Sequence, residues 1–365
     1  MKAHYKFLLV AFWVCTANFL FAQATICPIS AGPNQSVCVP NCATLTGTFV
    51  PTNQTTGYTA STVPYTPDPF NVGTAVVVGD DQWSPAINLP FTFCFYGIAN
   101  TQILIGSNGM LSFNIVAANA YCQWPISVAV PTATSASDPN NTIMGPWQDL
   151  YPPAGGTIKY ATYGTAPCRR FVVSWYQVPM YSCTTTLCTQ QLVLYETTNI
   201  IDNFIQTKPL CTGWNGGNAI EALHNPGGTA AVVQAGRNYP VQWTTTNDGR
   251  RWTPNGPSTS TVGWYQGATL IASTASTVVC PTSTTVYTFQ EVSTNCNGIP
   301  ATVTSTMTVT TSSLTLTGTS TNCTSCSICN GTASVTVVSG TGPFTYLWTP
   351  SGGTGSSASS LCAGT

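Results

Sequence analysis

Pro90 to Asn114 reads PFTFCFYGIANTQILIGSNGMLSFN. Phe91, Phe93 and Phe95 alternate with Thr92, Cys94 and Tyr96, and Ile103 and Ile105 alternate with Gln102 and Leu104. After Asn108-Gly109, Leu111 and Phe113 continue the alternation. A period of two puts one set of side chains on one face of a sheet. Asn-Gly between such runs predicts a tight hairpin in which both turn residues take positive φ. An all-β chain built around this hairpin is therefore expected. Its alternating side chains read as scaffold, which leaves the Cys- and Trp-bearing loops around it as the place for a binding surface. No residue pattern names a ligand.

The composition narrows the function classes. Only 5% of the 365 residues are Asp, Glu, Lys or Arg, and the net charge is −1; ordinary globular proteins carry about 25% charged residues. Such a chain has no field to hold nucleic acid or an anionic lipid surface. A neutral surface of Thr, Ser, Asn and Gln favours self-association. Lys2 and Lys6 followed by the apolar run Phe7 to Phe21 and by Ala22-Gln23-Ala24 predict a secretory signal over residues 1–24. The run is shorter than the roughly 20 residues of a membrane span, and no other stretch suits one. A secreted, extracellular chain is expected.

Sixteen cysteines in an exported chain argue for disulfides. Loss of Cys15 with the signal leaves an odd number. The disulfide candidates are Cys38, Cys42, Cys183, Cys188, Cys280, Cys296, Cys323, Cys326, Cys329 and Cys362. Cys38 and Cys42, in a Cys-containing leader over 25–62 that also holds Cys27, are close enough for a local loop. Without a nearby His or acid, disulfide is favoured there over metal. Cys280 with Cys296 is the preferred bridge of the C-terminal part, pairing elsewhere being the alternative. Cys323-x-x-Cys326-x-x-Cys329 has metal spacing, but no fourth ligand stands at suitable distance, so disulfides within this segment, with Cys362 as a further partner, are expected. The chain stops at Leu361-Cys-Ala-Gly-Thr365 without a capping signal, as the front part of a longer protein would.

Strands are expected at Thr157 to Tyr163, Arg170 to Val178, Gln190 to Glu196, Ile200 to Gln206 and Ala219 to His224, with a hairpin crossing a Cys183 to Cys188 loop. Here a resemblance emerges. Phe91-x-Phe-x-Phe-Tyr-Gly97, Gly106-Ser-Asn-Gly-x-Leu-Ser-Phe113, Met144-Gly-Pro-Trp-Gln-Asp149, Phe171-Val-Val-Ser-Trp175 and Gln191-Leu-Val-Leu-Tyr-Glu196 resemble, in order and spacing, the extracellular nidogen-type (NIDO) domain. The resemblance covers about Val63 to Gly256. It implies a β-rich, non-enzymatic module of adhesive proteins, from whose animal examples this chain departs by Cys122, Cys168, Cys183, Cys188 and Cys211.

Residues 257–311, with Gly263-Trp-Tyr265, Val279-Cys-Pro281 and Thr284 to Phe289, resemble the immunoglobulin-like sandwich modules of gliding Bacteroidetes surface proteins. Ala31 to Thr48 resembles the first strands of such a module, so the nidogen-like unit could be inserted in an Ig-like frame. Residues 312–365 resemble the start of a repeat of large gliding-motility adhesins, cut short. These resemblances imply export by the type IX route.

Few groups suit chemistry. With His4 in the signal, His224 is the remaining histidine and reads as structural; no Gly-x-Ser-x-Gly elbow is present. The carboxylates Asp80, Asp81, Asp138, Asp149, Asp202, Glu196, Glu221 and Asp248 mostly sit in turn contexts, where Asp caps its own backbone. Asp80-Asp81 is a weak Ca²⁺ candidate, since adjacent loop carboxylates supply hard oxygen ligands. No other cofactor is expected. Arg169-Arg170 and Arg250-Arg251 read as solvated strand ends. Trp124, Trp147, Trp214, Trp243 and Trp252 are weak candidates for stacking on sugar, against a core role. The expected function is a secreted, non-enzymatic cell-surface protein of adhesion or gliding-associated contact, with surface proteins or polysaccharide as partners. A polysaccharide-binding accessory part of a secreted hydrolase and a structural spacer or filament subunit are the alternatives.

Overall fold

The computed structural model describes residues 29–132, 139–325, 327–340, 343–349 and 353–362. The signal segment, Cys27, Asp138 and Cys326 lie outside the described residues. Among the described residues no helix is long and apolar enough to cross a membrane.

The Phe-rich alternation forms strand Ile87–Phe95, which returns as Ile98–Ile105. The tight two-residue turn of this hairpin is Tyr96-Gly97, where both φ values are positive, at 46° and 79°. Asn108-Gly109 does not repeat that geometry. Only Gly109 is left-handed (φ 78°), and residues 106–109 make a wider loop before Met110–Ser112. The Asn108 side chain explains the difference, because it turns inward to bond four neighbouring groups, as described below.

These strands belong to an antiparallel six-stranded sheet. Its order is Ala231–Val233, Ile220–His224, Thr142–Trp147, Met110–Ser112, Ile98–Ile105, Ile87–Phe95. It packs on an antiparallel seven-stranded sheet ordered Tyr58–Val63, Thr245–Pro254, Ile201–Lys208, Cys183–Tyr195, Arg170–Met180, Thr157–Tyr163, Thr74–Ala75. Phe91, Phe93, Phe95, Ile103, Ile105 and Leu111 from the first sheet meet Phe171, Val173, Trp175, Leu192, Leu194 and Ile201 from the second in one core. Trp175 Nε1 donates across it to Gly106 O at 2.9 Å, which satisfies the indole's polar atom at full burial.

The six-stranded sheet is apolar on its other face as well. There Leu104, Met110, Met144 and Trp147 lie under Cys122, Ile126 and Val130 of a long loop. Cover on both faces explains why every residue of Thr142–Trp147 is buried.

Tyr58–Val63, which straddles the expected end of the leader at residue 62, is the edge strand of the seven-stranded sheet, paired with Thr245–Pro254. The Arg170–Met180 and Cys183–Tyr195 strands turn at Tyr181-Ser182, so Cys183 to Cys188 is strand rather than loop.

A second sandwich takes strands from both sides of the first. Gln35–Cys38 runs parallel to Pro300–Ser312, at the edge of a five-stranded sheet that also contains Thr285–Thr294, Ser260–Gln266 and Thr269–Ala272. Ala43–Thr46 pairs with Ser276–Val279. Leu45, Trp264, Phe289, Met307 and Val309 fill its core. A separate three-stranded sheet, Thr315–Thr321, Gly331–Ser339 and Ser357–Leu361, follows.

The cysteine pairing differs from the local expectation. Cys42 bonds Cys280, and Cys94 bonds Cys296, so the expected Cys280–Cys296 bridge is absent. Cys38 is free and exposed, with Sγ 3.4 Å from Ser312 Oγ. Cys183 bonds Cys211, and Cys188 is a free thiol in the core. Residues five apart on one strand stand about 17 Å apart, beyond the roughly 7 Å a disulfide allows, so Cys183 could not reach Cys188. Cys329 bonds Cys362, and Cys323 is free.

The arginine pairs are ion-paired inside the sheets rather than solvated. Arg170 meets Asp68 at 2.5 Å, Arg169 meets Glu196 at 2.6 Å and Arg251 meets Asp202 at 2.7 Å. Asp248 takes Arg237 at 2.5 Å and Arg250 at 3.0 Å, and Arg237 also bonds the fully buried Glu221.

Cys94–Cys296 ties the two sandwiches together across 202 residues of chain. Cross-linking so distant a pair removes much unfolded-state entropy. The double substitution Cys94→Ser, Cys296→Ser is expected to lower stability by about 2–5 kcal/mol, measured as a shift in the urea midpoint under non-reducing conditions.

Candidate functional site

Five loops meet at the Asn108 end of the first sandwich. The 80–84 loop is zipped to the 119–122 loop: Trp83 N donates to Ala120 O, and Cys122 N donates to Asp81 O, at 2.9 and 2.8 Å. The 106–109 loop joins the 80–84 loop through Ser107 N to Gln82 O at 3.0 Å. The 148–151 segment follows strand Thr142–Trp147, and Tyr181 N donates to Asp149 O. The 209–218 loop is fastened by Cys183–Cys211. Its Asn215 holds the Trp124 loop from both sides, accepting from Ile126 N and donating to Trp124 O.

Asn108 is the hub. Its side chain is fully buried. Nδ2 donates to Asp81 Oδ1 at 2.9 Å, to Cys122 O at 3.0 Å and more weakly to Gln123 O at 3.3 Å. Oδ1 accepts from Leu150 N at 3.0 Å. One amide therefore sets the relative positions of Asp81, the Trp124 loop and Asp149.

The result is a cluster of Asp80, Asp81 and Asp149, each offering one oxygen within 4.8 Å of the others. Asp80 is exposed, Asp81 half-buried and Asp149 buried. Trp214 Nε1 donates to Asp149 Oδ2 at 2.6 Å. Burial raises the pKa of all three carboxyls. Asp149 is pushed up to about 7, the Trp214 hydrogen bond opposing the rise and the charges of Asp81 and Asp80 adding to it. For Asp81 the Asn108 bond opposes the rise and Asp80 adds to it; for Asp80 a backbone bond at Asp81 opposes it.

Aromatic rings wall the carboxylates. Trp214 lies 5.3 Å from Trp124 and 4.9 Å from Tyr181, which contacts Tyr151 edge-on at 5.3 Å. Tyr121 is half-exposed, and both Asp81 and Asp149 raise its pKa further after burial. The arrangement can take hard cations through oxygen and apolar sugar faces through the rings.

The structure brings Asp80, Asp81, Trp124 and Trp214 to one place and sends the other tryptophans elsewhere. Trp147 is a core residue bonding Gln123 O, and Trp252 is a core residue bonding Val232 O. Neither ring is open to stack on a ligand. Trp243 is held between Lys208 and Arg237, at 4.7 and 4.5 Å from its ring. His224 is fully buried: its Nδ1 bonds Pro139 O, and Thr132 N donates to Nε2. Asn108, Tyr121, Tyr151 and Tyr181 are site residues that the sequence reading missed. Asn108 carried a signal, as the turn residue beside the Phe-rich strands; the tyrosines carried none.

These features define a disulfide-bonded, all-β sandwich protein with an acidic and aromatic site on its loops. The family model described as NIDO related matches residues 57–291, and the chain belongs to that family. The match opens one residue before edge strand Tyr58–Val63 and closes within Thr285–Thr294 of the second sandwich. No curated protein matches the chain.

Two outcomes follow from the geometry. Asn108→Ala leaves Leu150 N and Asp81 without their partner and should lower stability by about 3 kcal/mol, read from urea unfolding. Asp149 is raised above the unfolded carboxylate value of about 3.9, so the folded state holds its proton more tightly. Its contribution is fully present below about pH 4 and lost as pH rises toward about 7. In chelator, Asp149→Asn should therefore show a smaller fall in Tm across that window than the parent chain, measured by calorimetry.

Proposed function

We propose that this chain is a secreted, non-enzymatic cell-surface protein that acts in adhesion, and that it holds a surface polysaccharide on the Trp124–Trp214 loop face. The observation that carries this reading is the gathering of two tryptophans and three tyrosines beside loop carboxylates. Aromatic faces that keep one side toward water suit the apolar faces of sugar rings. A neutral chain surface supports recognition by hydrogen bonding and stacking rather than by long-range charge. The disulfides support an extracellular setting.

The second sandwich is read as an Ig-like frame, and the three-stranded sheet after it as an adhesin-type repeat. Both readings rest on their sequence resemblances, and the pairing of Gln35–Cys38 and Ala43–Thr46 with C-terminal strands supports the first. By the same resemblances the protein would leave the cell through the type IX route and serve contact of gliding cells with surfaces.

The test is a screen of the full chain against immobilised bacterial and plant polysaccharides. Binding to at least one is expected, with affinity at least tenfold weaker in Trp124→Ala and in Trp214→Phe. A screen without hits, or hits that both variants retain at full affinity, would sink the reading.

A further inference from the structure

We propose that Asp80, Asp81 and Asp149 bind one divalent cation, Ca²⁺ by the chemistry of the ligands, which ties the 80–84 loop to the 148–151 segment. The three carboxylate oxygens lie within 4.8 Å of one another. Three points no more than 4.8 Å apart fit within a circle of about 2.8 Å radius, so a shift of a few tenths of an ångström in the side chains brings all three oxygens to the 2.3–2.6 Å of a calcium ion.

Arginine neutralises most of the other acids, Glu291 being held instead by the Ser260 and Thr52 hydroxyls, and leaves these three. Among the described residues, the acids Asp68, Glu196, Asp202, Glu221 and Asp248 are each paired with arginine. No described ion pair reaches Asp80, Asp81 or Asp149. Three like charges so close repel one another unless a cation or protons intervene.

A separate observation points to a missing ligand. Asp149 is only 6% exposed, and its Oδ1 has no hydrogen-bond partner while Oδ2 takes the Trp214 indole. A buried carboxylate oxygen without a partner costs the full desolvation of that atom, and a metal ion bound through Oδ1 would remove the deficit.

The donor set selects the ion. All three ligands are carboxylate oxygens, with no histidine or thiolate among them, which disfavours zinc and copper. They come from two irregular segments 68 residues apart (Asp81 to Asp149). Calcium accepts such uneven geometry and fills its remaining positions with carbonyls and water, whereas magnesium demands a near-ideal octahedron.

Terbium is a direct probe, because it takes calcium sites and is excited through nearby indoles, here Trp214 and Trp124. The full chain, stripped with chelator, is titrated with Tb³⁺ under excitation of tryptophan. Saturable emission is expected, displaced by Ca²⁺ and at least tenfold less readily by Mg²⁺. Asp80→Asn and Asp81→Asn should each weaken Tb³⁺ at least tenfold. Asp80 is exposed, so its variant keeps the test open should a variant of the buried Asp149 fail to fold. Absence of saturable emission, equal displacement by Mg²⁺, or unchanged titration in both variants would overturn the proposal. The readout uses no polysaccharide, so a failure of the adhesive reading leaves it standing.

Discussion

The Asn108 side chain is the interaction on which the loop end of the first sandwich depends. A buried amide is tolerable only when its donors and acceptor are met. Here they are met by four groups on three different segments: Asp81, the carbonyls of Cys122 and Gln123, and the Leu150 amide. None of these segments is a regular strand at the point of contact. Without the amide, the loops would have to satisfy their own backbone groups, and Asp81 and Asp149 would lose their common reference. The Phe-rich hairpin is thus more than scaffold, since its second turn supplies the residue that builds the site.

The scarcity of charge gives the acidic cluster its meaning. Each described arginine is committed to a carboxylate within the sandwich. Several of these pairs are partly buried, where an unpaired partner would be expensive. Lys208, nearly buried, donates to Trp243 O, and burial lowers its pKa to about 8. A chain that commits its described arginines so consistently and yet collects three carboxylates at one loop end sets up a local field of one sign. In a neutral surface that field is the main electrostatic feature available to a ligand.

The strands were legible because period-two alternation is a local property. Thr157–Tyr163 and Ile220–His224 fall close to where the alternation predicts them. What escaped was set by distance along the chain. Cys42 finds Cys280 across 238 residues and Cys94 finds Cys296 across 202, so spacing-based pairing of Cys280 with Cys296 had no access to the real partners. Trp147 and Trp252 look like loop aromatics in sequence, but a second apolar layer and the opposing sheet bury them. Of the site, the Asp80-Asp81 pair and two of the tryptophans could be read from residue type. Asp149 as their third partner could not, because it arrives from a separate segment 68 residues further along the chain.

The placement of the joint bears on how such a site works. The Cys94–Cys296 bridge and Gly97 border a cavity of about 410 Å³ between the sandwiches, lined by neutral residues such as Thr55, Asn199 and Asn295. Strand Ile98–Ile105 starts at that joint and ends one residue before Gly106, in the loop of Asn108. Its eight residues span about 25 Å. The aromatic and acidic loops therefore stand at the end of the first sandwich away from the second. Modules attached through the second sandwich would leave that end open to a partner. Tension between a bound surface and those modules would run along hydrogen-bonded strands to a covalent bond at the joint. Tyr58 OH, donating to Cys94 O, and Asn199 Oδ1, accepting from Cys94 N, hold that cysteine from both sides, so the load would pass into both sheets rather than peel one strand.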